Sequence, residues 1–413
     1  MCKCKQLCVL LLAMAFAQAG SSEDATGALQ RPGISYTNLI VEEVPWSIQL
    51  VTIGRTGRNY ELQSYHAGAG ALGMETVSAQ VKAAASDHQK PVAAINGGFY
   101  LRDLSAAQTN VYAGWPRGLQ IVEGEVLAGP SSNTCFWLDF GGQPHQANVA
   151  SHFEIGWPDG RTTPFQLNGP RADNGVEIYT PAVGRSTHTV GGRELVLAPK
   201  GGGPWLPLRM ERDYIAQVSD VGRGGNTLLT SNVLVLSLGP AVDGSFPGVG
   251  VGAVVRISTR SMPALPDARN AIAGGPALVH NGRLQKVRVA PDAPYEMSSL
   301  LERHPRTAVG WNDQVIYLAQ VDGRQKDWSV GMTADELAEY LLKLGCTEAI
   351  NLDGGGSSCL WFAGQIRNHP CDGFERSVAN SLIVFDQQSK ATAGNPLGST
   401  ATRPGERSAS SGN

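Results

Sequence analysis

One aspartate stands directly before three glycines and two serines in Asn351-Leu352-Asp353-Gly354-Gly355-Gly356-Ser357-Ser358. A carboxylate in that place can serve as nucleophile, base or metal ligand. Glycines, lacking Cβ, let main-chain N–H groups close on an anion as a nest. A tight turn closed by an Asp side chain uses the same first residues, but three glycines and two serines exceed what a turn needs, which favours a functional loop. Arg306, in His304-Pro305-Arg306-Thr307-Ala308-Val309-Gly310, and Arg324, in Val321-Asp322-Gly323-Arg324-Gln325, each stand beside an apolar run. A guanidinium presents a planar fork that matches phosphate or carboxylate oxygens; a surface ion pair is the other reading. Glu375-Arg376 and Asn380, ahead of Leu382 to Phe385, admit the same two readings.

Other chemistries lack their residues. None of the eight histidines forms a His-x-x-x-His pair, the cysteines show no C-x-x-C spacing for zinc, and neither a G-x-S-x-G elbow nor a Walker A loop occurs.

The elements that must position these residues can be read from the pattern. Thr333-Ala334-Asp335-Glu336 spells a capping box, and Leu337, Leu341 and Leu344 recur at helical spacing until Gly345. Glu348 to Leu352 is then a short apolar strand that delivers Asp353 to the end of a sheet. The same grammar of buried strand, small polar residue and paired glycines occurs at Pro91 to Ile95 with Asn96-Gly97-Gly98, and at Ala271-Ile272-Ala273 with Gly274-Gly275-Pro276. Three such strand ends could converge on one pocket. Trp46 to Val51 is a further strand and Gln80 to Ser86 a weaker helix. Hairpins are expected around Glu123-Gly124 and Asn281-Gly282. Residues 130 to 260, with Val233 to Leu236 and Val254 to Ile257, read as β-rich. The fold class expected is α+β: a mixed twisted sheet with short helices packed on it.

The chain bounds are informative too. Lys3 and Lys5, apolar Leu7 to Phe16 and Ala17-Gln18-Ala19 make a secretory signal peptide over 1–19, so a secreted or periplasmic protein is expected. No run is long enough to span a bilayer. Residues 20–34 read as a flexible lead-in, 35–386 as the catalytic domain and 387–413 as a disordered tail. Cys2, Cys4 and Cys8 leave with the signal peptide. Four cysteines remain, an even number that permits two disulfides in an oxidising compartment. Cys359 and Cys371 flank a short segment and are expected to pair, leaving Cys135 with Cys346. Without Lys3 and Lys5 the formal net charge of -3 becomes -5, which argues against a general nucleic-acid or anionic-membrane binder. Fifty glycines and twenty-four prolines favour strands and turns over a helix bundle. The sequence leaves the oligomeric state open.

Together, Asn96 to Tyr100, Pro305 to Gly310, Asp322 to Gln325, Asn351 to Ser358 and Arg376-Ser377-Val378-Ala379-Asn380 resemble the phosphodiester glycosidase family. Leu167-Asn168-Gly169-Pro170-Arg171 and Tyr179-Thr180-Pro181 are similar to its bacterial members. The matches keep the family's order over roughly residues 35 to 386. The resemblance implies hydrolysis of a sugar-1-phosphodiester, with an N-acetylglucosamine-1-phosphodiester or related glycan as the reference substrate. It implies Asp353, Arg306 and Asp322 as catalytic residues. Asn96, Gly97, Gly98, Gly275, Arg324, Asn351, Gly354, Gly355, Gly356, Ser357, Arg376 and Asn380 would be substrate contacts. Calcium or magnesium is a possible cofactor. Cys359-Leu360-Trp361 departs from the family's small residues after the serines, so the sugar is left open. Two rivals stand beside this reading: a secreted carbohydrate-binding module using Asp353 and Asn351 as calcium or hydroxyl ligands, and a two-metal phosphodiesterase attacking phosphorus.

Overall fold

Sequence neighbours pair as hairpins wherever short turns join alternating apolar segments, and that rule builds most of this molecule. The structure, a computed structural model, describes residues 29–387 apart from 58, 69–70, 103–111, 202, 247–248 and 289–297. The segment expected to be a signal peptide, most of the expected lead-in and all but the first residue of the expected tail lie outside the described residues. Leu29–Arg31 already pairs with Ile34–Val41, inside the stretch read as lead-in.

Three sheets are described. An eight-stranded sheet runs in the spatial order Leu29–Arg31, Ile34–Val41, Trp46–Gly54, Val315–Val321, Arg306–Trp311, Glu348–Asn351, Ala277–His280 and Arg283–Leu284. A five-stranded sheet runs Gln365–Ile366, Leu360–Phe362, Lys90–Asn96, Asn380–Asp386 and Tyr60–His66. The region between Gln120 and Ala273 supplies a twelve-stranded sheet with its own core around Phe153, Ile155, Leu195 and Leu236. The first two sheets face one another across Val51, Ile95, Val309, Ile350, Leu360 and Val384, and Phe136 and Ile272 of the third sheet enter the same core. Helix Ala334–Lys343 covers the outer face of the eight-stranded sheet through Leu337 and Leu341. Helix Val77–Ala84 covers the outer face of the five-stranded sheet through Val77 and Val81.

This corrects the expected α+β class with a mixed sheet. The molecule is mainly β, and among the described strands only Gln166–Leu167 with Val176–Tyr179 is parallel. Parallel pairing needs a long crossover, whereas Arg306–Trp311 returns directly as Val315–Val321. The local expectations hold better. The Thr333/Glu336 capping box forms in both directions, and both hairpins turn through positive φ at Glu123-Gly124 and Asn281-Gly282.

The expected disulfides are a second correction: all four cysteines are free. Cys135 belongs to the core of the twelve-stranded sheet and Cys346 to the layer beneath helix Ala334–Lys343, so the packing assigns them to different cores. Cys359 is buried under helix Val77–Ala84, with its thiol 3.5 Å from Glu375 Oε1, and Cys371 lies on a half-buried loop beside Asp372.

Candidate active site

Asp353 comes immediately after the buried strand Glu348–Asn351 and Leu352, where the chain leaves the eight-stranded sheet and meets the five-stranded one. Two other turns brace it. Asn96, fully buried, accepts hydrogen bonds from Thr307 Oγ1 (2.8 Å) and Cys359 N (3.0 Å) and donates from Nδ2 to Asp353 O (2.7 Å). Gly97 O accepts from Asp353 N at 3.0 Å. On the other side Gly275 N donates to Asn351 O (2.7 Å), and Asn351 Nδ2 donates back to Gly275 O (2.9 Å). The three strand ends therefore do converge, but only the third opens on a cleft.

That cleft, of about 550 Å³, is lined by Phe99, Tyr100, Arg102, Arg117, Ser299, Leu300, His304, Arg306, Arg324, Asn351 to Ser357 and Arg376. Asp353 is half-buried there. Desolvation pushes its carboxyl up to about 6; the Ser357 hydroxyl, the Gly354 N–H and the positive charges of Arg376 and Arg117 act against that rise. Tyr100 donates to Ser377 O at 3.1 Å, and burial, with the Asp353 charge added, raises its phenol. His304 accepts from Arg324 Nε at Nδ1 (3.2 Å), which makes Nε2 its proton carrier toward Glu302 Oε2 (3.1 Å). Burial and the charges of Arg324 and Arg306 lower its pKa against the pull of the Glu302 carboxylate, and the net lowering favours the neutral ring.

The glycines after Asp353 are explained by what stands over them. Gly355 has φ of +61°, and a Cβ there would lie 3.2 Å from Arg324 Nη2; one on Gly356 would lie 1.9 Å from Arg376 Nη2. Two consecutive glycines thus seat two guanidinium groups on the cleft floor. The backbone nest expected from the sequence is largely spent, however. Gly354 N donates to Asp353 Oδ1, Gly355 N to Pro305 O, Ser357 N to Gly354 O and Ser358 N to Gly355 O. The short 3₁₀ turn Gly355–Ser357 consumes amides that an anion would need.

Several expected site residues are placed elsewhere. Asp322 is fully buried and absent from the cleft wall; it accepts from Trp328 Nε1 (3.0 Å), Gln320 Nε2 (3.2 Å) and His369 N (3.0 Å), so it shapes the loop that carries Arg324. Arg306 reaches the wall but donates to Met332 O (2.8 Å), Ser299 O (2.7 Å) and Glu302 O (2.7 Å), fastening the segment above it. Asn96, Gly97, Gly98, Gly275 and Asn380 line no part of the cleft. A Cβ on Gly97 would meet Asn380 Oδ1 at 2.2 Å, and one on Gly98 would meet Ala273 O at 1.8 Å. Cys359-Leu360-Trp361 also runs away from the cleft into the five-stranded sheet.

Arg102, Arg117, Tyr100 and His304 are wall residues that the motifs did not single out for chemistry. Arg117 stands two residues after Trp115 in a loop, and no periodicity marks it; Tyr100 ends the Asn96-Gly97-Gly98-Phe99-Tyr100 motif and His304 heads the one that carries Arg306, and those positions were the signals available. Among the described residues no three His, Cys, Asp or Glu side chains gather to hold a metal ion. Among the described residues, the charges that act on the Asp353 carboxylate are those of the Arg376 and Arg117 guanidiniums.

Residues 215–385 match the family model described as phosphodiester glycosidase. The chain is 35% identical over 118 residues to the SPbeta prophage-derived uncharacterized protein YomE of Bacillus subtilis (strain 168), a match of 28% of this chain and 17% of that one. It is 40% identical over 68 residues to the N-acetylglucosamine-1-phosphodiester alpha-N-acetylglucosaminidase of Bos taurus, covering 16% of this chain and 12% of that one. The chain thus spans less than a fifth of the length of either relative. A solved structure of a hypothetical protein from Synechocystis superposes with a TM-score of 0.66 at 21% identity over 86% of this chain and 62% of that one, a likeness of fold.

Proposed function

The chain resembles the phosphodiester glycosidase family, the match being carried by residues 215–385, and on that premise we propose that it hydrolyses the sugar C1–O bond of a sugar-1-phosphodiester. The observation that supports this best is a half-buried carboxylate, Asp353, on a cleft whose other charged lining groups among the described residues are arginines. A phosphate monoester leaves readily, so the strong general acid of an ordinary glycosidase is not required. Arg324, Arg376 and Arg117 hold the phosphate oxygens through charge-assisted hydrogen bonds, and Arg306 stiffens the wall behind them. Asp353, ionised above pH about 6, faces the anomeric carbon and stabilises positive charge as the C1–O bond breaks. The Ser357 hydroxyl and the Gly354 N–H fix its carboxylate orientation. Water supplies the oxygen that ends on C1. Asn351 belongs to the sugar-facing wall.

The reaction runs without a divalent cation in this reading, so dialysis against a chelator should leave the rate unchanged. Export to a secreted or periplasmic space is part of the same proposal, since the N-terminal segment lies outside the described residues; no described helix is long and apolar enough to cross a membrane. The deciding experiment is hydrolysis in ¹⁸O-labelled water of an α-N-acetylglucosamine-1-phosphodiester, then of its glucose and galactose counterparts. Label in the sugar supports the glycosidase. Label in the phosphate would make it a phosphodiesterase, and binding of the diesters without turnover would make it a carbohydrate-binding module.

A further inference from the structure

Two segments of the cleft wall belong to one ribbon. Leu101 N donates to Trp115 O (2.8 Å), Gly114 N to Leu101 O (2.8 Å) and Arg117 N to Phe99 O (2.9 Å), with Tyr100 bridged to Pro116. Phe99, Tyr100 and Arg117 line the cleft from this ribbon, and Trp115 does not. Among the described residues the Arg117 side chain has no hydrogen-bond or ion-pair partner, so its backbone sets where the guanidinium stands.

The ribbon rests on the twelve-stranded sheet through Trp115. Its Nε1 donates to Leu167 O at 3.2 Å, and a Cβ on Gly169 would lie 2.8 Å from its Cε2 and Cζ2. The indole thus lies on the bare backbone of Gly169, where any side chain would push it away. This plate is itself fixed. Gly169 N donates to Glu177 Oε1 (2.6 Å), and Gly169 O accepts from the Tyr179 hydroxyl (2.8 Å). Asn168 donates from Nδ2 to Leu127 O (2.9 Å) and accepts from Thr180 N (2.8 Å), and Arg171 donates to Ser237 Oγ (2.8 Å) and Leu238 O (3.1 Å). The runs Leu167 to Arg171 and Tyr179 to Pro181 therefore form a rigid support with no member on the cleft wall.

Resting on the glycosidase reading, we propose that Trp115 and Gly169 are positioning residues for Arg117: the plate seats the indole, the indole seats the ribbon, and the ribbon aims the guanidinium at the phosphate. The twelve-stranded sheet thereby takes part in substrate binding without touching the substrate. A guanidinium moved from its place loses the paired, charge-assisted hydrogen bonds that depend on its planar geometry.

The test is a double-mutant cycle on hydrolysis of the methyl N-acetylglucosamine-1-phosphodiester. Trp115→Phe keeps an aromatic ring and loses the bond to Leu167 O; Gly169→Ala drives a methyl against the indole. Thermal unfolding identifies any variant that has lost the fold. Each single variant should raise KM at least about fivefold with kcat changed less, the factor that one lost hydrogen bond carries. Arg117→Gln should raise KM at least as much. Adding Trp115→Phe or Gly169→Ala to Arg117→Gln should raise it no further, because both act through that guanidinium. A residue that served only the fold would add its effect in the Arg117→Gln background. Additive effects in the double variants therefore overturn the proposal, and so does a wild-type KM in both Trp115→Phe and Gly169→Ala. If the wild type turns over no sugar diester, the glycosidase reading falls and a crystal structure of Gly169→Ala decides the inference. Displacement of Arg117, with Asp353 and Arg376 in their wild-type places, supports it; Arg117 in its wild-type place overturns it.

Discussion

The turns Asn96-Gly97-Gly98 and Asp353-Gly354-Gly355-Gly356 share one grammar and do opposite work. In the first, the space a Cβ would occupy is already filled by protein: Asn380 Oδ1 beside Gly97 and the Ala273 carbonyl beside Gly98. Those glycines exist so that two sheets and a third strand can touch, and the contact fixes the backbone of Asp353. In the second, the same space at Gly355 and Gly356 is filled by the guanidiniums of Arg324 and Arg376, which are themselves part of the cleft wall. One glycine pair is a joint and the other a seat for charge. The lesson is that a glycine's purpose is set by the atom that stands where its Cβ would be.

Substitution can break that contrast. The largest effect is expected at Gly98→Ala, where the new methyl would meet a backbone oxygen at 1.8 Å. Loss of more than about 3 kcal/mol of stability, or failure to fold, should appear in thermal unfolding. Wild-type Tm in that variant would make both turns dispensable to the fold.

Next comes Asp353→Asn, which should lower kcat by at least about a hundredfold with little change in Tm. The pH dependence follows from the direction of the shift. The folded carboxyl titrates near 6, above its usual 3.8, so the native state keeps the proton longer than the unfolded state. Stability from this group is therefore greatest at low pH and declines as pH rises from about 4 to about 6. Asp353→Asn should match or slightly exceed wild-type Tm at pH 7, and the gap should close below pH 4. The kcat/KM of the wild type should fall on the acid side with a midpoint near pH 6, because the working form is the carboxylate.

A smaller effect is expected at Gly355→Ala. The left-handed φ of +61° costs about 1 kcal/mol in a residue with a side chain, and the methyl presses on Arg324. The protein should fold and show a raised KM with kcat less altered. The mildest prediction concerns the thiols. With all four described cysteines free, a reducing agent should leave Tm unchanged, whereas a structural disulfide would contribute about 2–4 kcal/mol. Peptide mapping after alkylation of the unfolded chain should find Cys359 and Cys371 both modified.

Local chemistry was legible in the sequence because it depends on near neighbours. Thr333 and Glu336 are three residues apart and satisfy each other's backbone wherever the helix lies, and the run Glu348 to Leu352 had to place Asp353 at a strand end. The convergence of three glycine turns was visible as repeated grammar. What each turn does was decided only in three dimensions. Asn96 and Asp353 are 257 positions apart, and nothing near Arg306 in the chain marks Met332 O as one of the acceptors that would occupy its guanidinium. Asp322 stands in a motif that implied a catalytic carboxylate, and only the packed chain shows that Trp328, Gln320 and His369 occupy it away from the cleft. Arg117 and His304 enter the cleft through loops with no periodic signal. Composition and spacing thus determined the strand ends, the lone aspartate and the arginines near it. Burial and hydrogen-bond competition are properties of the packed chain, and they determined which of those arginines keep guanidinium groups toward the cleft and which spend them on the protein's own carbonyls.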